Sequence, residues 1–155
     1  MKQQVAILAV AALLVIMSLG TAAGGAKEQK LTIVLNEMSF APARVTLQAG
    51  VKAEIKLVNK GKVKHEFMVY AVPKAGLKGD ELEKWAEETS YFKGLEMKVE
   101  GGGIEVVGEE IFEVEVAAGK SAELQFTPKK TGTFEIGCHV EGHYEAGMKG
   151  VLVIK

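Results

Sequence analysis

Cysteine is almost missing from this 155-residue chain: Cys138 is its only one. A lone thiol cannot close an internal disulfide, so Cys138 is either a stray side chain or a chemical group. Histidine is nearly as scarce, with His65, His139 and His143 the whole supply. Charge of one sign is lacking too, since 19 basic side chains meet 20 acidic ones for a net of −1. That balance argues against a nucleic-acid partner. Nor are there clusters of methionine or histidine of the sort that metal-trafficking proteins expose; Met38, Met68 and Met97 are scattered and read as gap-fillers.

What the chain does have is one concentrated stretch, Thr133-Phe-Glu-Ile-Gly-Cys-His-Val-Glu-Gly-His-Tyr-Glu-Ala-Gly-Met148. Cys138, His143 and Met148 follow one another at intervals of five, between two strand-like segments. The third distinctive imidazole, His65, opens the run Lys64-His65-Glu66-Phe67-Met68-Val69 far upstream. Thiolate, imidazole and thioether form a soft, mixed donor set suited to copper cycling between Cu(I) and Cu(II), and two His, one Cys and a weak Met describe a blue-copper electron-transfer site. Period two puts Phe134, Ile136 and Cys138 on one strand face, so the thiol points with core residues. Gly142 and Gly147 permit the tight return that brings His143 and Met148 to the same ion.

Other metal chemistries fit less well. Zinc could use Cys138 and two histidines, but a thioether is a poor zinc ligand and Met148 is left without a role. A binuclear copper centre needs a second cysteine four residues after the first, where Gly142 stands. Cys138-His139 is similar to the copper motif of multicopper oxidases, yet Gly137 replaces the preceding histidine, and three histidines cannot build a trinuclear cluster. Strand alternation turns His139 away from Cys138, toward the surface or a second layer; a second metal contact and an electron exit route are its other readings.

Leu31–Leu35, Ala43–Leu47, Ala53–Leu57, Phe67–Val72, Ile111–Val116, Ala122–Phe126, Phe134–Cys138 and Gly150–Lys155 read as short strands punctuated by turns. They predict an all-β sandwich of seven to eight strands. Val45–Ile55 and Val114–Leu124 echo each other as strand, Ala-Gly turn and strand, two corners of a sandwich solving one turn problem. Leu82, Trp85 and Ala86 have helical spacing, which predicts one short inserted helix over Gly79–Glu88 with Asp80 as its cap. No course follows from the sequence for Gly94–Gly108, with its Gly101-Gly-Gly103.

At the other end, Lys2, an apolar run from Val5 to Met17 and the small residues up to Ala23 have the form of a secretory signal. The expected domains are therefore a signal peptide or membrane anchor over 1–23, a linker over 24–30 and a copper-binding domain over 31–155. Removing 1–23 leaves 18 basic and 20 acidic side chains, a net of −2. Either fate of the segment puts the domain outside the cytoplasm, in the periplasm or on the extracellular face. If kept, residues 5–23 would tether it to a membrane.

The ligand stretch resembles that of the plastocyanin/azurin (cupredoxin) family, and the likeness runs from Leu31 to Lys155. The resemblance implies a Greek-key β-sandwich, a mononuclear type 1 copper held by His65, Cys138, His143 and Met148, and an electron-shuttling role without catalysis. The Cys-x4-His-x4-Met spacing is longer than plastocyanin's and has one residue more between His and Met than azurin's. Glu66 stands where plastocyanins carry an asparagine that pins the ligand loop. Expected partners are a redox donor and acceptor among membrane or periplasmic complexes. The basic loop Lys60, Lys62 and Lys64 would steer an acidic partner to the copper end, while Tyr144, Ala146 and Gly147 supply a flat apolar contact. A copper sequestration or delivery protein is the alternative.

Overall fold

The protein is described by a computed structural model that covers residues 27–101 and 104–155; the expected signal or anchor over 1–23 lies outside the described residues. Alternation of apolar and polar residues produces strands with one buried face, and these assemble into two sheets. The first contains β1 (Gln29–Asn36), β2 (Ser39–Ala41), β4 (Ala53–Asn59), β6 (Met97–Gly101), β7 (Ile104–Gly108) and β9 (Ser121–Phe126), in the order β2-β1-β4-β9-β6-β7. The second contains β3 (Arg44–Leu47), β5 (His65–Ala71), β8 (Glu113–Val116), β10 (Gly132–Gly137) and β11 (Lys149–Ile154), in the order β3-β11-β10-β5-β8. The pairs β1–β4 and β3–β11 are parallel, and the rest are antiparallel.

Ile33, Leu35, Ile55, Leu57, Leu124 and Phe126 of the first sheet meet Leu47, Phe67, Val69, Ile136, Leu152 and Ile154 of the second in one core. An all-β sandwich is thus what the chain forms, but with eleven strands among the described residues instead of seven or eight. Two of the additional strands, β6 and β7, come from the segment that had no predictable course. There the glycines hid a hairpin that adds to the edge of the first sheet through β9. Another is β2, which folds back on β1 between the first two predicted strands.

The repeated Ala-Gly corners do the same job twice. Each carries the chain from the second sheet to the first, β3 to β4 and β8 to β9, with Gly50 at φ 76° and Gly119 at φ 69°. Both angles lie in the left-handed region that glycine enters without steric cost.

The helix α1 (Gly79–Glu88) occupies its predicted span, but Asp80 does not cap it. Lys78 is the N-cap residue and makes no side-chain capping bond; Asp80 and Glu81 lie inside the first turn, where their charge complements the helix dipole. α1 packs Ala86 and Trp85 on Met68 and Tyr70 of β5, and the Trp85 indole donates to the Ala71 carbonyl at 2.9 Å. β5 is therefore covered on both faces, with Phe67 and Val69 in the sandwich core and Met68 and Tyr70 under the helix.

Beside that helix, Glu113 of β8 faces Glu115, Glu83 and Glu87, and only Lys64 offsets them. Partial burial first, and then these acids, raise its carboxyl above the usual range. A raised carboxyl disfavours the folded state once it is charged, so this penalty applies in full above its folded pKa and fades below its unfolded value. Glu113→Gln should raise stability at pH 7 by ~0.5 kcal/mol, a small gain because solvent screens the site. The gain should vanish below about pH 4, where the native side chain is also protonated; thermal unfolding of both proteins at the two pH values measures it.

Candidate metal centre

β10 delivers the thiol. Ile136 and Cys138 sit in the core and Phe134 packs against it, the shared face that period two predicts. A tight loop then leads back to β11. His143 N–H donates to the Val140 carbonyl at 2.9 Å, Met148 N–H to the His143 carbonyl at 2.9 Å, and Cys138 N–H to the Met148 carbonyl at 3.2 Å. These bonds tie the backbones of all three loop residues to one another. Gly142 and Gly147 take φ 77° and 103° in the turns between them.

His65 opens β5, the strand next to β10 in the sheet. Its Nδ1 lies 3.2 Å from Nδ1 of His143, which is 3.4 Å from Sγ of Cys138. The donor atoms of His65, Cys138 and His143 all lie within 4.8 Å of one another, and all three residues are buried. Met148 is fully buried beside them in sequence and joined to them through its backbone. The structure thus gathers the donors of His65, Cys138 and His143 and encloses Met148 in the loop that carries the last two.

Electrostatics at this cluster follow from burial. Desolvation, and then the nearby His143, hold the His65 imidazolium below its usual pKa, with Glu37 opposing, which favours the neutral ring at pH 7. Burial pushes the Cys138 thiol up, against the opposing backbone N–H groups of Glu66 and Val140. The Glu66 N–H points at Cys138 Sγ from 3.4 Å. Two imidazole nitrogens and a sulfur facing one another in a dry site have no protein group to satisfy them jointly. A soft metal ion fits that set, and copper is the first-row ion it suits best.

One residue essential to this arrangement was not legible in the sequence. Asn59, at the end of β4, is 1% exposed; its amide donates to the carbonyls of Val63 and Val116 at 2.8 Å each, and its Oδ1 accepts from Gly61 N–H at 2.8 Å. It holds the basic loop that leads to His65 and ties it to the end of β8, a different segment from the 138–148 loop. Its place at the end of an alternating strand, followed by Lys-Gly, was the only signal. The expected contact patch needs one revision: Ala146 and Gly147 are exposed, but the Tyr144 ring is stacked on His139 and its hydroxyl bonds Glu135. His139 is half-buried in this second layer, on the side of the sheet away from Cys138, as alternation requires.

A two-sheet sandwich with a buried His-Cys-His cluster at one end defines a small cupredoxin-type copper protein. The family profile of the cupredoxin-like domain matches residues 6–85, and the chain belongs to that family. CopI of Rubrivivax gelatinosus, a copper-resistant cuproprotein, is 30% identical over 138 residues, spanning 88% of this chain and 73% of that one. The copper-resistant cuproprotein CopI of Pseudomonas aeruginosa is also 30% identical over 138 residues, spanning 82% of this chain and 76% of its own. Auracyanin A, a blue copper protein from Chloroflexus aurantiacus, superposes with a TM-score of 0.56 at 19% identity, over 83% of this chain and all of that one. At such identity the likeness concerns the fold alone. Family and donor set together make copper the cofactor of this centre.

Proposed function

We propose that the protein is an exported mononuclear type 1 copper protein that carries single electrons between redox partners and catalyses no reaction itself. The observation that supports this most is the convergence of the donor atoms of His65, Cys138 and His143 within 4.8 Å of one another, all three residues being buried. In this reading they are the strong ligands and Met148 the weak axial one. Bound there, copper supplies a one-electron couple. The chain's part is to keep that couple dry and its ligands still: His65 is fixed by a central strand, and Cys138 and Met148 are fixed by the strands flanking the loop. Little rearrangement between oxidation states means a low barrier to transfer. No helix among the described residues is long and apolar enough to cross a membrane; residues 1–23 are the proposed signal or anchor, with 5–23 as the tether if it is kept.

Copper sequestration or delivery is the second reading, favoured by the copper-resistant character of the CopI relatives. One experiment separates the two. Titration with Cu(II) should develop intense thiolate-to-copper absorption and a narrow hyperfine splitting at one equivalent. Film voltammetry should then give a reversible, fast one-electron wave with no metal loss. A pale spectrum, or copper released on each reduction, would leave only the handling role.

Partners are proposed to be acidic redox proteins of a membrane or periplasmic complex. Lys64 is engaged with Glu115 at 2.6 Å, which leaves Lys60 and Lys62 to project the loop's positive field. Reversing both to glutamate should slow association with an acidic partner about tenfold or more at low ionic strength and hardly at all at high salt, measured by stopped-flow. An unchanged low-salt rate would remove the steering role.

A further inference from the structure

The five-residue spacing that places ligands at 138, 143 and 148 also places their followers, His139, Tyr144 and Lys149, at the same spacing, and these three meet on the other side of the sheet. The His139 and Tyr144 rings stack with centroids 5.4 Å apart and planes 13° apart, and Lys149 Nζ lies over the Tyr144 ring at 4.7 Å. Two strand residues, paired across β5 and β10, anchor the stack: Tyr70 and Glu135. Tyr144 hydroxyl donates to Glu135 Oε1 at 2.5 Å and Tyr70 hydroxyl to the same oxygen at 3.3 Å. The Tyr70 hydroxyl also lies 3.0 Å from Nε2 of the His139 imidazole, within hydrogen-bond reach. The four side chains close a ring of contacts.

That ring tolerates nothing larger than glycine at 137. A Cβ there would stand 2.2 Å from the Tyr70 hydroxyl and 3.0 Å from His139 Nε2. Tyr70 is fully buried, so its hydroxyl cannot swing out of the way.

We propose that Tyr144 is a positioning residue, the centre of an outer clamp that holds the ligand loop in its metal-binding shape before any metal arrives. Each follower is one peptide bond from a ligand, so fixing the three followers on a rigid strand fixes the backbone direction at all three ligands. The proposal rests on the ligand assignment above. It adds that the loop's geometry is set from the side of the sheet away from the sandwich core, by stacking and one shared carboxylate, besides the bonds within the loop.

The test uses the full chain with Tyr144→Ala, which removes stack and bond, and Tyr144→Phe, which keeps the ring and removes only the bond to Glu135. In the metal-free proteins, amide hydrogen exchange over residues 138–148 should quicken in the order wild type, Phe, Ala, while the protection of β4 and β9 is unchanged. In the loaded proteins, transfer of Cu(I) to bathocuproine disulfonate should be about tenfold faster or more for Tyr144→Ala, with a broadened hyperfine splitting, and less affected for Tyr144→Phe. Exchange and copper release within about twofold of wild type in Tyr144→Ala would overturn the clamp. Should that variant not fold, equality of Tyr144→Phe with wild type in both readouts would overturn it instead. If wild type fails to form a type 1 site, the functional reading falls, whereas the metal-free exchange still decides the clamp.

Discussion

Cys138→Ser is expected to abolish the blue absorption completely and to weaken Cu(II) binding by more than about a hundredfold, leaving a protein that folds. The colour requires a thiolate, and serine at this place offers a hydroxyl that stays protonated at neutral pH. Folding should survive because the exchange is nearly isosteric. The Glu66 N–H that now points at Sγ would find an oxygen acceptor in its place. Visible absorption, electron paramagnetic resonance and thermal unfolding of the metal-free variant check the three parts. A retained blue band would mean that Cys138 is not the strong ligand.

Asn59→Ala should be the most damaging change to stability, about 2–4 kcal/mol, read from chemical denaturation of the metal-free protein. Three groups lose their partner at once: the carbonyls of Val63 and Val116 and the N–H of Gly61. Unlike a surface loop bond, the one to Val116 is buried, so water does not replace it without opening the structure. His65 should suffer with it. Gly61 approaches so closely that a Cβ at that position would come within 2.5 Å of His65 Nε2, and a loop freed from Asn59 no longer keeps the imidazole in place. Copper affinity should therefore fall together with stability, whereas Cys138→Ser separates them. A variant as stable as wild type would show that solvent replaces the amide.

Such effects mark how far the sequence was readable. As candidates, Cys138, His143 and Met148 stood out because three chemically distinctive residues sit close together between strands, and His65 because no other imidazole lies upstream; the structure brings the donors of His65, Cys138 and His143 together. Alternation exposed most strands, and helical spacing of Leu82, Trp85 and Ala86 exposed α1. Sheet order did not follow, since parallel pairing of β1 with β4 and of β3 with β11 depends on contacts distant in the chain. The β6–β7 hairpin was hidden because its alternation, Met97-Lys-Val-Glu and Ile104-Glu-Val, is short and broken by Gly101-Gly-Gly103. Asn59, Tyr70 and Glu135 were invisible for another reason: each works by joining segments, and a polar residue in a strand looks alike whether it faces water or a partner.

The position of β11 has a bearing on how the protein is made. It follows Met148 directly and lies between β3 and β10, so it both closes the ligand loop and joins the second sheet's parallel edge to its centre. During synthesis Cys138, His143 and Met148 all leave the ribosome before the strand that holds them together. A nascent chain stopped at Met148 would carry every donor side chain yet have no strand to pair with β3 or with the near edge of β10. With the proposed ligand set, metal loading waits for β11 to pair, and an export route that threads the chain unfolded would deliver it empty.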